Sequence, residues 1–131
     1  MPKKIILTEK APQPIGPYSQ AVVAGGFLFC SGQIALDPKT GSIVGQDVET
    51  QTVQVMDNIQ AVLKAAGCSW DTVVKTTIFL KSMNDFPKVN EIYGRSFRMD
   101  PPARSTVEVA RLPKDVLVEI EVVACLEKAS I

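Results

Sequence analysis

Arg104 follows Pro101-Pro102 in the stretch PPARSTVEVARLPKDVLVEIEVVA, residues 101–124, which also carries Glu108, Glu119 and Glu121. An arginine fork holds a carboxylate or phosphate through two parallel hydrogen bonds, so a small anion is the first ligand to consider. The two prolines limit backbone freedom just ahead of the guanidinium. Glu119 and Glu121 share one strand face ~7 Å apart, where repulsion and partial burial can raise one pKa and make that group a proton acceptor or donor near neutral pH. The other reading of the same residues is ion pairing, Arg104 with Glu108, Glu119 or Glu121, and strand logic alone favours it. Toward the amino terminus, Ile15-Gly16-Pro17-Tyr18-Ser19-Gln20 fixes a bend before a tyrosine. Tyr18 either walls a pocket and offers a hydroxyl or serves packing. Ser31-Gly32 either supplies backbone donors to an oxyanion or is plain strand, and Asn90 is either a polar contact or a surface residue.

What the chain lacks narrows the chemistry. There is no histidine, which removes Ser-His-Asp and Cys-His catalysis and, with no closely spaced cysteine pair, leaves too few ligands for a zinc site. Cys30, Cys68 and Cys125 fall in apolar or strand-like contexts and are expected as reduced thiols of a cytosolic protein. Fourteen basic and fourteen acidic residues cancel, with no long run of either sign, so nucleic acid is a poor default partner. No apolar run approaches the ~20 residues of a membrane span, and the first residues, MPKKIILTEKAP, hold too short an apolar core for a signal peptide. A length of 131 residues suits one domain, spanning residues 1–131.

The elements that must position these residues follow from pattern. Gly25-Gly26 between Val22-Val23-Ala24 and Phe27-Leu28-Phe29 predicts a tight hairpin, and Gly32 inside its second strand predicts a bulge or a close approach by another backbone or a ligand. Val48 to Ala66 has helical spacing, with Asp47 as cap and Gly67 as stop. Val73 to Leu80 is a strand. Asn84-Asp85 opens a second helix burying Phe86, Val89, Ile92, Tyr93 and Phe97, with Pro87 in its first turn. Strands from Ala103 to Val109 and from Val116 to Leu126 complete an α+β fold, a mixed sheet of about six strands with two helices on one face. Two helices cover ~20 Å of a sheet ~24 to 29 Å wide, so the second face needs another cover.

Alternation suggests what that face carries. Val118, Ile120, Val122 and Ala124 point one way, and Leu117, Glu119, Glu121, Val123 and Cys125 the other. In the preceding strand Ala103, Ser105, Val107 and Val109 oppose Arg104, Thr106 and Glu108. If the apolar sets meet the helices, Arg104 joins Glu108, Glu119 and Glu121 on the second face among apolar neighbours. Such a mixture suits an oligomer interface enclosing a polar pocket.

The strings IGPYSQAV (15–22), SGQI (31–34), AAGC (65–68), VVKTTIFL (73–80), NDFPKVNEIY (84–93), PPARSTVEVARLP and VEIEVVA, in this order over nearly the whole chain, resemble the RidA family, also called YjgF/YER057c/UK114. The resemblance implies a chorismate-mutase-like fold and a homotrimer, its three sheets forming a central barrel with a ligand cleft at each subunit boundary. It implies 2-iminobutanoate/2-iminopropanoate deaminase activity, the hydrolysis of 2-aminoacrylate, 2-aminocrotonate and their imine tautomers to 2-oxo acids and ammonia, protecting pyridoxal-phosphate enzymes. Carried over by motif, Arg104 holds the substrate carboxylate, Glu119 positions water, and Tyr18, Ser31, Gly32, Phe86 and Asn90 line the pocket. Thr106 stands where bacterial relatives often have cysteine; its backbone contact is expected to survive, a thiol role is not.

An imine carbon is already electrophilic, so hydrolysis calls for orientation and a directed water and for no metal or cofactor. The alternatives are a non-catalytic trimeric binder of small 2-oxo or amino acids and, with little support from neutral charge and few aromatic residues, an RNA-acting translation inhibitor.

Overall fold

The computed structural model describes residues 2–126. In chain order the strands are β1 (Lys4–Ile6), β2 (Ala21–Ala24), β3 (Phe27–Gln33), β4 (Val73–Leu80), β5 (Ala103–Glu108) and β6 (Val118–Cys125). The helices are α1 (Val48–Ala65), between β3 and β4, and α2 (Phe86–Gly94), between β4 and β5. One sheet holds all six strands in the order β1-β2-β3-β6-β4-β5. Only β4 and β5, joined through α2, run parallel; every other pair is antiparallel.

Local chemistry explains most of the elements. Gly25 (φ 60°) and Gly26 (φ 84°) adopt the two positive φ angles of the β2–β3 turn. The Asp47 carboxylate accepts the Thr50 N–H at 2.9 Å and starts α1, and Gly67 at φ 78° ends its run. The entry to α2 differs from expectation. Asp85 makes no side-chain capping bond; instead a single 3₁₀ turn, Met83–Asp85, precedes the helix, with Ser82 accepting from Asn84 N at 3.2 Å and Glu108 accepting from Met83 N at 2.8 Å. Phe97 lies beyond the helix end and packs on Trp70 and Tyr93, with ring centroids 5.2 and 4.8 Å away. β6 starts two residues later than its pattern implied, because the Val116 N–H closes a turn on Pro113 O (3.2 Å) and the Leu117 N–H goes to Gln51 Oε1 (2.9 Å).

Both helices pack on one face of the sheet. Leu28, Ile78, Leu80, Val118 and Ile120 from the strands meet Val55, Ile59, Val62 and Leu63 of α1. Buried amides tie the loops to this layer. Gln20 accepts from Thr8 N (2.8 Å) and donates to Thr8 O (3.0 Å) and Pro12 O (2.9 Å), while Asn58 donates to Ile34 O (3.2 Å) and Leu36 O (3.0 Å). The opposite face is open and largely apolar, exposing Ile5, Phe27, Phe29 and Val107 at 40 to 50%. Among the described residues no helix is long and apolar enough to cross a membrane. The three cysteines are free, and burial, aided by the Glu121 charge, pushes the Cys30 thiol up to about 12.

The expected alternation of β6 is observed, whereas that of β5 is inverted. The ladder pairs Thr76 with both Arg104 and Val122, and Leu80 with both Glu108 and Val118, so Arg104, Thr106 and Glu108 lie on the helix face. Ala103, Ser105 and Val107 lie on the open one. β5 is the sheet's edge, and neither of its sides is buried. Burial therefore does not select its apolar side, and the parallel register with β4 does.

Candidate functional site

Glu119 is placed by the residues on either side of it. Val118 and Ile120 are fully buried under the helices, so the pleat turns Glu119 to the open face, half-buried. Beside it, β3 pairs Cys30 with Val122 but Gln33 with Ile120, leaving Ser31 and Gly32 to face Glu121 alone. This bulge brings the Gly32 backbone beneath the Glu119 carboxylate. A Cβ at position 32 would sit 2.9 Å from Glu119 Cδ and 3.1 Å from Cγ, so only glycine leaves the space that the carboxylate occupies.

Tyr18 reaches the same place through a three-residue turn in which its N–H bonds Gly16 O at 2.9 Å around Pro17, with Gly16 at φ 124°. Ser31 anchors this segment: its hydroxyl donates to Ser19 O (2.6 Å) and its N–H to Gln20 O (2.9 Å). Both of its donors are thus used within the protein, and the oxyanion role considered for Ser31 does not hold. Tyr18, Ser31, Gly32 and Glu119 line a cavity of about 470 Å³ with Ile15 and Lys114 among its other walls.

Arg104 lies elsewhere. Its Nη1 donates to Asn90 Oδ1 at 2.7 Å, and its guanidinium carbon is 5.2 Å from the Phe86 ring centre and 5.1 Å from that of Tyr93. This accounts for Phe86 and Asn90, which hold the arginine and do not line the Glu119 cavity. Thr106, half-buried, follows on the same side of β5. Asn90, Tyr93, Pro101, Pro102 and Arg104 border a second cavity of about 390 Å³. No ion pair joins Arg104 to Glu108, Glu119 or Glu121 among the described residues. Arg104 can still offer its Nε and Nη2 edge to a carboxylate. The eight site residues expected from the sequence thus form two groups on opposite faces of the sheet: Tyr18, Ser31, Gly32 and Glu119, and Phe86, Asn90, Arg104 and Thr106.

A family model described as endoribonuclease L-PSP matches residues 8–126. The chain belongs to this family. Within the endoribonuclease L-PSP family it is 59% identical over 125 residues to the RutC family protein PH0854 of Pyrococcus horikoshii, covering 95% of this chain and 99% of that protein. It is 49% identical over 124 residues to the chloroplastic Reactive Intermediate Deaminase A of Arabidopsis thaliana, covering 95% of this chain and 66% of that protein. A crystal structure of Escherichia coli TdcF with bound serine matches at a TM-score of 0.88 and 46% identity, covering 93% of this chain and 98% of that one. The resemblance carried by the sequence motifs is therefore upheld, as is the α+β fold.

Sequence reasoning passed over Lys114, which lines the Glu119 cavity from a turn where it and Asp115 hold φ of 56° and 57°. The Arg111–Asp115 pair, 2.7 Å at Nε and 3.1 Å at Nη2, braces that turn. No residue type there announces a left-handed backbone. Burial, and secondarily the Glu121 charge, raise the Glu119 pKa above the ordinary carboxylate value. Its surroundings are Glu121 on the same strand, Gly32 and Ser31 on β3, and Tyr18 and Lys114 from loops.

Two outcomes follow from this geometry. Gly32→Ala is expected to fold with a stability loss of no more than about 1–2 kcal/mol, since the obstructed atoms end a flexible side chain, but to displace the Glu119 carboxylate. A crystal structure and a urea titration of the variant check both parts. Glu121→Gln removes one of the two causes of the raised Glu119 pKa, so an NMR titration of the Glu119 carboxyl is expected to shift to lower pH in that variant; a shift upward would contradict the assignment.

Proposed function

We propose that this protein is a hydrolytic deaminase of small 2-imino acids and their enamine tautomers, working at a composite site between the subunits of a homotrimer. The observation that carries this reading is the separation of Arg104 and Glu119 on opposite faces of one sheet, each in its own cavity. One chain holds an anion clamp without a water-directing carboxylate beside it, and that carboxylate without a clamp. The open apolar face, with Phe27, Phe29 and Val107 exposed, needs a cover, and a second copy that covers it can bring its Arg104 toward the Glu119 cavity. A relative named Reactive Intermediate Deaminase A and a TdcF structure holding serine, an α-amino carboxylate, support the substrate class.

In this site Arg104 takes the substrate carboxylate on its free edge. Glu119 orients a water and accepts its proton as the oxygen attacks the imine carbon. With the substrate reacting as its iminium form, the resulting carbinolamine receives that proton on nitrogen, the C–N bond breaks to release ammonia, and the hydroxyl proton passes to Glu119 as the carbonyl of the 2-oxo acid forms. A carboxylate whose pKa is raised suits both halves of this transfer. Tyr18 walls the cavity, and in this reading its hydroxyl serves the reacting centre. The reactive substrates arise where pyridoxal-phosphate enzymes dehydrate serine or threonine, so the activity would protect such enzymes.

The family description names an endoribonuclease, yet a formal net charge of zero and eight aromatic residues give an RNA-directed activity little support. Ammonia release from freshly generated 2-aminoacrylate tests the proposal. Acceleration over buffer is expected. Arg104→Ala should abolish both turnover and 2-oxobutanoate binding, whereas Glu119→Ala should keep binding within about threefold and lower turnover by roughly 10²–10⁴. Binding of 2-oxobutanoate without acceleration would instead make the protein a sensor.

A further inference from the structure

Arg104 stands on an exposed edge strand, where a long side chain is free to sample many rotamers. Its tip is nevertheless tied back to its own backbone. Thr76 is the ladder partner of Arg104 on β4. The Thr76 and Tyr93 hydroxyls share a buried hydrogen bond of 2.7 Å. The Tyr93 ring centre in turn lies 5.1 Å from the Arg104 guanidinium carbon, and that of Phe86 lies 5.2 Å from it. Backbone pairing, the hydroxyl pair and the ring thus close a loop that begins and ends on Arg104.

Packing alone does not explain the two hydroxyls. Thr76 is 1% and Tyr93 4% exposed, in a layer otherwise built from Ile78, Leu80, Ile120 and Val122. Valine and phenylalanine would fill the same volume without burying polar groups, and replacing both partners of a buried hydrogen bond is close to neutral for folding. The pair does fix the rotation and depth of the Tyr93 ring, and that ring is one of the surfaces against which the guanidinium plane is set. Asn90 then holds Nη1 at 2.7 Å, and the Tyr93 hydroxyl also lies within reach of the guanidinium, so the two residues together set which N–H edge faces a ligand.

We infer that Thr76 and Tyr93 are positioning residues for the Arg104 carboxylate clamp, acting through the orientation of the Tyr93 ring. The inference rests on the proposed role of Arg104 in binding a 2-oxo or 2-imino acid carboxylate, but its structural part stands apart from that role.

The test is the double variant Thr76→Val/Tyr93→Phe, which removes both hydroxyls together and leaves neither unpaired. Its urea midpoint is expected to match or exceed that of the parent protein. Calorimetry should show the Kd for 2-oxobutanoate raised about tenfold, and kinetics on 2-aminoacrylate should show KM rising by a similar factor with kcat within about threefold, the signature of lost ground-state positioning. The NMR relaxation of the Arg104 Nε–H group should report greater side-chain motion. Unchanged motion, Kd and KM in a folded double variant would overturn the inference. If Arg104→Ala itself leaves 2-oxobutanoate binding intact, the functional reading fails, and the Arg104 Nε–H relaxation alone decides the positioning role.

Discussion

β6 runs between β3 and β4, so every second side chain on it has to fit beneath the helices. Val118, Ile120, Val122 and Ala124 fill that layer, which leaves Glu119 and Glu121 only the open face. β5 is held by the parallel register to β4, and that register sends Arg104 to the helix side. The period of two along a strand therefore separates the anion clamp from the carboxylate before any tertiary adjustment can act. A one-residue slip of β6 that brought them together would move Val118, Ile120, Val122 and Ala124 into water, whereas on β5 only the parallel register with β4 opposes such a slip.

The open face gains meaning from the same constraint. Phe27 and Phe29 remain 40% and 48% exposed. Fully burying such a side chain is worth about 1.5–3 kcal/mol, so part of that remains available to an association that covers the face. In the proposed trimer this burial and the completion of the site are one event. The bulge at Ser31-Gly32 serves it from within the chain, because the missing side chain at Gly32 lets Glu119 lie flat along the cavity wall. Gln20 serves it from the side, holding the backbone of residues 8–12 next to the turn that presents Tyr18.

Much of this was legible in the sequence where one residue type has one physical use. Gly25-Gly26 marked the hairpin, Asp47 the start of α1, and Gly32 the bulge, although what comes close to Gly32 is the Glu119 side chain and neither a backbone nor a ligand. The β6 alternation was legible because one of its faces is buried beneath the helices and the other is open. β5 was misread for the opposite reason: an exposed edge strand carries no burial signal, and Arg104 folds onto Phe86, Tyr93 and Asn90, which its own strand does not reveal. β1 escaped notice as three residues without turn signals. The buried amides of Gln20, Gln51 and Asn58 escaped notice too, since each is satisfied by loop backbone groups distant in sequence.

Mixing subunits tests the composite site most directly. Arg104→Ala and Glu119→Ala chains, each inactive alone, are unfolded together and reassembled in equal amounts, and the formation of mixed trimers is verified by native mass spectrometry. If each site takes Arg104 from one subunit and Glu119 from its neighbour, random assembly in a closed ring leaves about one quarter of the sites intact, and about that fraction of the parent activity returns. Mixed trimers that remain as inactive as the separate variants would contradict the account, because a site built within one chain cannot be restored by a neighbour.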